Sequence, residues 1–208
     1  MKTLTQPRAV KTRERILREA TRLMALKGFH DTKLDDVLKA AKVTGGAFFH
    51  HFRNKEELGF AVIDRHMQQR RRELDDLEAE MPAVRGDDPL QHVFRRLDAV
   101  REMVARRKLK KGGCVIGNLS TALADTHPAF RRRLAECFDE MAGEFKPHLD
   151  EAARRSRIQK RVDTGELARY IVTIIEGTIM LSRTQQSQQL LDRHFEYLKE
   201  HLQNTFPK

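Results

Sequence analysis

Residues 32–57 read TKLDDVLKAAKVTGGAFFHHFRNKEE, and this stretch decides the fold. Leu34, Val37, Leu38 and Ala41 recur at helical spacing and predict a short amphipathic helix running to Ala40–Ala41. Thr32 is placed to cap it, with Asp35 three residues on, close to a capping box. A tight turn passes through Lys42–Val43. Thr44 then caps a second short helix dense in aromatic rings: Phe48, Phe49, His50, His51 and Phe52. Asn54 caps a long helix that reaches about Glu80 and stops before Pro82. Two short helices joined by a tight turn make the unit that lays one helix in the DNA major groove.

Upstream, residues 1–11 form a basic arm with Pro7, expected to be loosely ordered. A first helix is predicted from about Thr12 to Lys27, with Ile16, Ala20, Leu23 and Met24 on one face and Gly28 as its stop. Phe48 and Phe52, at i and i+4, point to a small core shared with Ile16, Leu23 and Val37. Downstream, Asp88 caps and Pro89 opens a helix to about Lys110. Gly112–Gly113 is the next break, followed by the short apolar helix CVIGNLSTALAD. A long helix opens at Thr126–His127–Pro128, and Pro147 falls inside its pattern, so a kink or restart is expected there. Asp163 to Glu166 opens the next helix, and a final one runs from about Ser187 to Asn204. The sum is an all-α chain of about nine helices. The expected domains are a three-helix head over 1–53 and a helical body over 54–208.

Composition agrees. The chain has 208 residues with only 11 Gly and 6 Pro, too few turn residues for a sheet-rich fold. The net charge of +10 is unevenly placed: residues 1–72 carry 17 Lys and Arg against 8 Asp and Glu, the remainder 23 against 22. A basic head on a neutral body points to a polyanion. Two cysteines make no disulfide framework. The start has no apolar core for a signal peptide. The most apolar stretch, Tyr170–Leu181, is interrupted by Thr173, Glu176, Gly177 and Thr178 and is too short to span a bilayer. A cytoplasmic location without membrane partners is expected. An enzyme is not: there is no HExxH, no Cys/His metal spacing, and no strand–loop–helix phosphate motif around either Gly pair. No catalytic residue, metal or cofactor is assigned.

A helix entering the major groove needs small residues at its leading end, an apolar back, and polar groups for phosphates. Thr44, Gly45, Gly46 and Ala47 meet the first need, Phe48 and Phe52 the second, and His50 with Lys55 the third. The plainer alternative is a loop whose caps happen to be Thr44 and Asn54.

These residues carry a resemblance. TRERILREATRLMALKGFHDTKLDDVLKAAKVTGGAFFHHFRNKEEL is similar to the amino-terminal domain of the TetR/AcrR family of bacterial transcriptional regulators. GGCVIGNLSTALADTHPAFRRRL resembles the body of one subgroup. The resemblance implies a helix-turn-helix head, a ligand-binding body and a homodimer on double-stranded DNA. It places phosphate contacts on Thr32, Thr44, His50 and Lys55, and base-facing positions on Gly45, Gly46 and Ala47. Departures are Phe49 in place of the usual Tyr, Lys42 in place of the usual turn Gly, and Gly45 at an often basic position. Lys33, Thr44 and the arm residues Arg8, Lys11 and Arg13 then carry more of the specificity, together with DNA shape.

For the body, the implied effector is a small molecule. Met67, Phe94, Met103, Tyr170 and Met180 are candidate pocket residues, or plain core. Asn118 and Glu176 are polar within apolar helices and must bond a ligand or a neighbour. Cys114 follows two glycines at a helix start, where a thiol is readily activated. In some regulators that the body resembles, the cysteine at this place senses electrophiles; the other reading is a small packing residue. By resemblance, the last two helices form the dimer interface, through Ile175, Ile179, Leu191, Phe195, Leu198 and Leu202. The function expected is a ligand-responsive, sequence-specific regulator, a repressor on a palindromic operator. The alternative is a helical adaptor or a non-specific nucleic-acid binder.

Overall fold

A computed structural model of the chain describes residues 7–84, 86–106, 113–156 and 162–207. Among these there are ten helices and no strand. They are α1 (Pro7–Asp31), α2 (Leu34–Ala41), α3 (Gly45–Phe49), α4 (Lys55–Glu80), α5 (Pro89–Arg106), α6 (Val115–Leu123), α7 (Pro128–Gly143), α8 (Lys146–Arg155), α9 (Thr164–Gln185) and α10 (Gln188–Thr205). The tenth arises at Pro147, which sits in the first turn of α8. A proline lacks the N–H that would continue α7, so the chain restarts rather than kinks. Gly112 and residues 107–110, where a helix end was expected, lie outside the described residues.

Most expected boundaries are held by their caps. The Ala47 amide donates to Thr44 Oγ1 over 3.2 Å at the start of α3. The Glu57 amide donates to Asn54 Oδ1 at 2.8 Å, and Glu57 Oε2 accepts from the Arg53 amide at 2.7 Å, so α4 opens on a reciprocal box. Asp88, Asp163 and Ser187 accept backbone N–H groups at the starts of α5, α9 and α10. Two expectations near the amino terminus fail. Of the arm expected over residues 1–11, residues 7–11 are the first turns of α1 rather than loosely ordered, and residues 1–6 lie outside the described residues. Thr32 does not cap α2: its hydroxyl donates to Gly28 O at 2.7 Å, and Lys33 takes the capping position with no side-chain bond. Gly28 has φ +79°, a region closed to most side chains, and this break lets Phe29 fold back onto the core.

Contacts divide the chain into two units that do not follow chain order. One comprises Met1–Gln69 with Val115–Leu134, the other Arg70–Cys114 with Ala135–Lys208. These contact units divide the chain differently from the expected head over 1–53 and body over 54–208 in two respects. The first half of α4 belongs with the head, and so does α6, which packs on α1. In the first unit, Ile16, Leu17, Ala20, Val37, Phe48, Phe52, Leu58 and Val62 are buried. Phe130 stacks on Phe60 at 4.3 Å between ring centroids and lies 5.2 Å from Phe29. Gly59 makes this approach possible, because a Cβ there would sit 2.8 Å from Phe130 Cζ and 2.9 Å from Phe29 Cε2. In the second unit α5 packs on α8 and α10, and α9 on α8 and α10. Its core includes Val93, Leu97, Val100, Phe145, Leu149, Ile171, Phe195 and Leu202.

Candidate nucleic-acid interface and effector site

The turn between α2 and α3 is built without glycine. Lys42 adopts the left-handed conformation, φ 50° and ψ 53°, and its N–H and that of Val43 close the end of α2 on the carbonyls of Leu38 and Lys39. Three residues separate α2 from α3, which is only five residues long. Its rigidity comes from its back face. Phe48 is fully buried and lies 5.5 Å from the buried Phe52 ring, over which Arg13 holds its guanidinium at 5.2 Å.

The outer face collects most of the expected residues. Lys33, Lys42, Thr44, Gly46, Phe49 and His50 are exposed, while Gly45 and Ala47 are partly so. A Cβ added at Gly45 or Gly46 would meet nothing within 4 Å. Nothing inside the protein therefore demands glycine there, and their bareness leaves room for something outside. Thr44 accepts the Ala47 amide with its oxygen, which leaves the hydroxyl proton free to donate outward.

Two expected contacts are placed otherwise. Thr32 is 0% exposed, so its side chain has no surface to offer a phosphate. Lys55 turns its ammonium back onto α1, donating to His30 O at 3.2 Å and lying 4.5 Å above the Phe29 ring. Burial lowers the Lys55 pKa, and the Asp31 charge opposes that. His51, beside the exposed His50, has its pKa lowered by burial and then by the His50 and Arg13 charges. Burial thus favours the neutral ring at His51.

In the body, the structure unites two residues singled out by chemistry alone. The Cys114 side chain hydrogen-bonds Glu176, within the second unit. Burial raises the Glu176 pKa; the Cys114 bond and the Arg70 charge partly offset it. Arg70 in turn donates to Glu144 Oε1 at 2.6 Å, with both side chains largely buried. Sequence reasoning missed Arg70 because it opens the run Arg70–Arg71–Arg72, which reads as a solvated face. Phe94 and Met103 are buried in the same unit. Met67 and the partly buried Asn118 belong to the first unit.

Tyr170 and Met180, expected in a pocket, are exposed on this protomer, Met180 by 58%. The residues expected at the dimer interface lie the other way round. Ile175, Leu191, Phe195, Leu198 and Leu202 are buried inside their own protomer, and Ile179 is partly buried. The apolar residues that α9 and α10 leave outside are Tyr170, Met180, Leu181 and Tyr197. An amphipathic stripe must first satisfy its own core, and only the surplus on the other face is left for a partner.

Among the described residues no helix is long and apolar enough to cross a membrane, and no cluster of three metal-ligating side chains occurs.

Similarity to known proteins agrees with this arrangement. Residues 16–62 match the bacterial regulatory proteins of the tetR family, and residues 89–198 match the tetracyclin repressor-like C-terminal domain. An uncharacterized HTH-type transcriptional regulator of Lactococcus lactis is 27% identical, over 90% of this chain and 91% of its own. The HTH-type transcriptional repressor DhaR of Mycobacterium sp. strain GP1 is 25% identical, over 87% of each chain. A crystal structure of a TetR transcriptional regulator from Chloroflexus aurantiacus superposes with a TM-score of 0.80 at 25% identity, covering 94% of this chain and 96% of that one. With an exposed reading face on a helix-turn-helix and matches across both halves, the chain belongs to the TetR family of DNA-binding transcriptional regulators.

Proposed function

We propose that the protein is a repressor that binds a palindromic operator as a homodimer and leaves it when a small-molecule effector occupies the body. One observation carries this reading: Lys33, Lys42, Thr44, Gly46, Phe49 and His50, on and beside the helix-turn-helix, are all exposed, while Phe48 anchors the short α3 in the core. Lys33, Lys42, Thr44 and His50 meet phosphates, and Gly45, Gly46 and Ala47 let the backbone come close to base edges. Lys55 commits one donor to His30 O and keeps two N–H groups for a phosphate. Regulators of this family act as dimers and respond to small molecules, which supports the rest. The second copy meets the face of Tyr170, Met180, Leu181 and Tyr197.

The test is a gel shift on the DNA beside the protein's own gene. A complex that survives excess unrelated DNA supports the reading. Equal competition by any duplex makes the protein a non-specific binder.

The Cys114–Glu176 pair favours an electrophilic effector. As the sulfur adds to the β-carbon of an enal or quinone, its proton passes to the Glu176 carboxylate, and the enolate formed takes a proton back at its α-carbon or its oxygen. The raised pKa makes that carboxylate a better proton acceptor than an ordinary one. A quinone should release DNA from the native protein and leave Cys114→Ser bound; release of both ends the electrophile reading.

A further inference from the structure

The side chains of α3 are Gly, Gly, Ala, Phe and Phe, and none has a hydrogen-bond donor or acceptor. A helix so composed cannot read a base edge through hydrogen bonds from its own side chains. In the major groove, the feature that an apolar side chain tells apart is the 5-methyl group of thymine. Phe48 is buried, so one large apolar side chain of α3 remains outside, Phe49, which is 58% exposed. Its ring is not loose: it meets the buried Phe48 ring edge-on, 5.3 Å between centroids at 86°. In the same helix-turn-helix stretch the cations Lys33 and Lys42 and the polar Thr44 and His50 are exposed as well, a surface that suits a polyanion and not an apolar partner.

We propose that Phe49 is a specificity-determining residue that packs on a thymine methyl in each operator half-site. This rests on the DNA-reading function proposed above and adds to it the chemistry of the bases read. The phosphate contacts set affinity without regard to sequence, whereas the ring adds a preference for T·A at one position per half-site. Burying one methyl is worth about fourfold in affinity. Two symmetric half-sites together give about fifteenfold.

The full chain is used to select duplexes from a randomised pool. The selected duplex is then made with each thymine in turn replaced by 2′-deoxyuridine, which removes the methyl and preserves base pairing. Binding is measured by fluorescence anisotropy for the native protein, Phe49→Ala and Phe49→Tyr. Because Phe49 is exposed, the variants should fold, and circular dichroism checks that they do. The expected result is one thymine per half-site whose replacement weakens native binding about fourfold. Phe49→Ala should bind the two duplexes alike, and Phe49→Tyr, which keeps the ring, should still distinguish them. Three results overturn the proposal: a selected half-site without thymine, indifference to every deoxyuridine, or an unchanged loss in Phe49→Ala. If the pool yields no preferred sequence at all, the DNA-reading function itself falls, a distinct outcome.

Discussion

Lys42→Gly should make the protein more stable and its DNA binding less sensitive to salt. Lys42 holds φ 50° and ψ 53° in the turn before α3. An L-residue with a Cβ pays a steric penalty of about 1–2 kcal/mol there, and glycine does not. Glycine returns part of that gain through the greater freedom of the unfolded chain, about 0.5–1 kcal/mol. The net is a stabilisation of about 0.5–1 kcal/mol, or a rise of about 1–4 °C in Tm for a chain of this length. The backbone bonds that close α2 on Leu38 and Lys39 need no side chain and persist. The substitution also removes one exposed ammonium per protomer. Each phosphate contact contributes about 0.9 to the slope of log affinity against log salt, so a dimer loses about 1.8. Between 50 and 200 mM salt the native protein should lose about 12-fold more affinity than the variant. Differential scanning fluorimetry at fixed protomer concentration reads the first effect, and anisotropy titrations at four salt concentrations read the second. An unchanged or lower Tm would refute the strain argument. An unchanged slope would show that Lys42 meets no phosphate. Lys42→Asn separates the two, since it removes the charge without the freedom of glycine.

Four further outcomes follow from the packing and the titrating groups. Gly59→Ala drives a methyl into Phe130 and Phe29 and should destabilise the first unit by about 1–3 kcal/mol in urea unfolding; a neutral result would mean the rings move aside freely. His148 stacks on His92 at 4.8 Å, and its pKa is lowered by burial, then by the His92 and Arg96 charges. The unfolded chain therefore takes up the proton first. Stability present above about pH 6.5 should be lost as pH falls towards the lower folded value, and a melt series from pH 8 to 5 should be flatter for His148→Asn. Glu176 is the reverse case: its raised pKa means stability is full below the unfolded carboxylate value and declines as pH rises through the folded one. Glu176→Gln should thus gain stability relative to the native protein at pH 8, and a loss there would show that the charged carboxylate is held by its partners. Leu181→Arg, at an exposed position, should give folded monomers in light scattering at micromolar concentration, whereas Leu191→Arg, at a buried one, should unfold the protomer; a dimeric Leu181→Arg would move the interface elsewhere.

Local chemistry was enough to place five of the helix starts, because each of these is held by a residue whose own side chain bonds the backbone two or three positions on. Thr44, Asn54, Asp88, Asp163 and Ser187 act alone in this sense. Thr32 did not, because a hydroxyl can donate as well as accept. The carbonyl freed by the positive φ of Gly28 lay within its reach, and which bond forms depends on the path of the chain and not on spacing.

The all-α class, the helix-turn-helix and its aromatic back are properties of the sequence alone, because periodicity and capping are short-range. The glycines and alanine of α3 were equally legible as a bare reading face. Tertiary structure decided what faces where. A stripe such as Leu191, Phe195, Leu198 and Leu202 has the same spacing whether it meets its own core or a second copy, and only packing sends it inward and leaves Tyr197 outside. The same holds for Cys114 and Glu176, sixty-two positions apart, whose hydrogen bond no local rule predicts, and for Lys55, whose ammonium folds onto α1. Contacts between distant segments depend on how whole helices pack, and that packing is fixed by the sum of many side-chain volumes and not by any one residue.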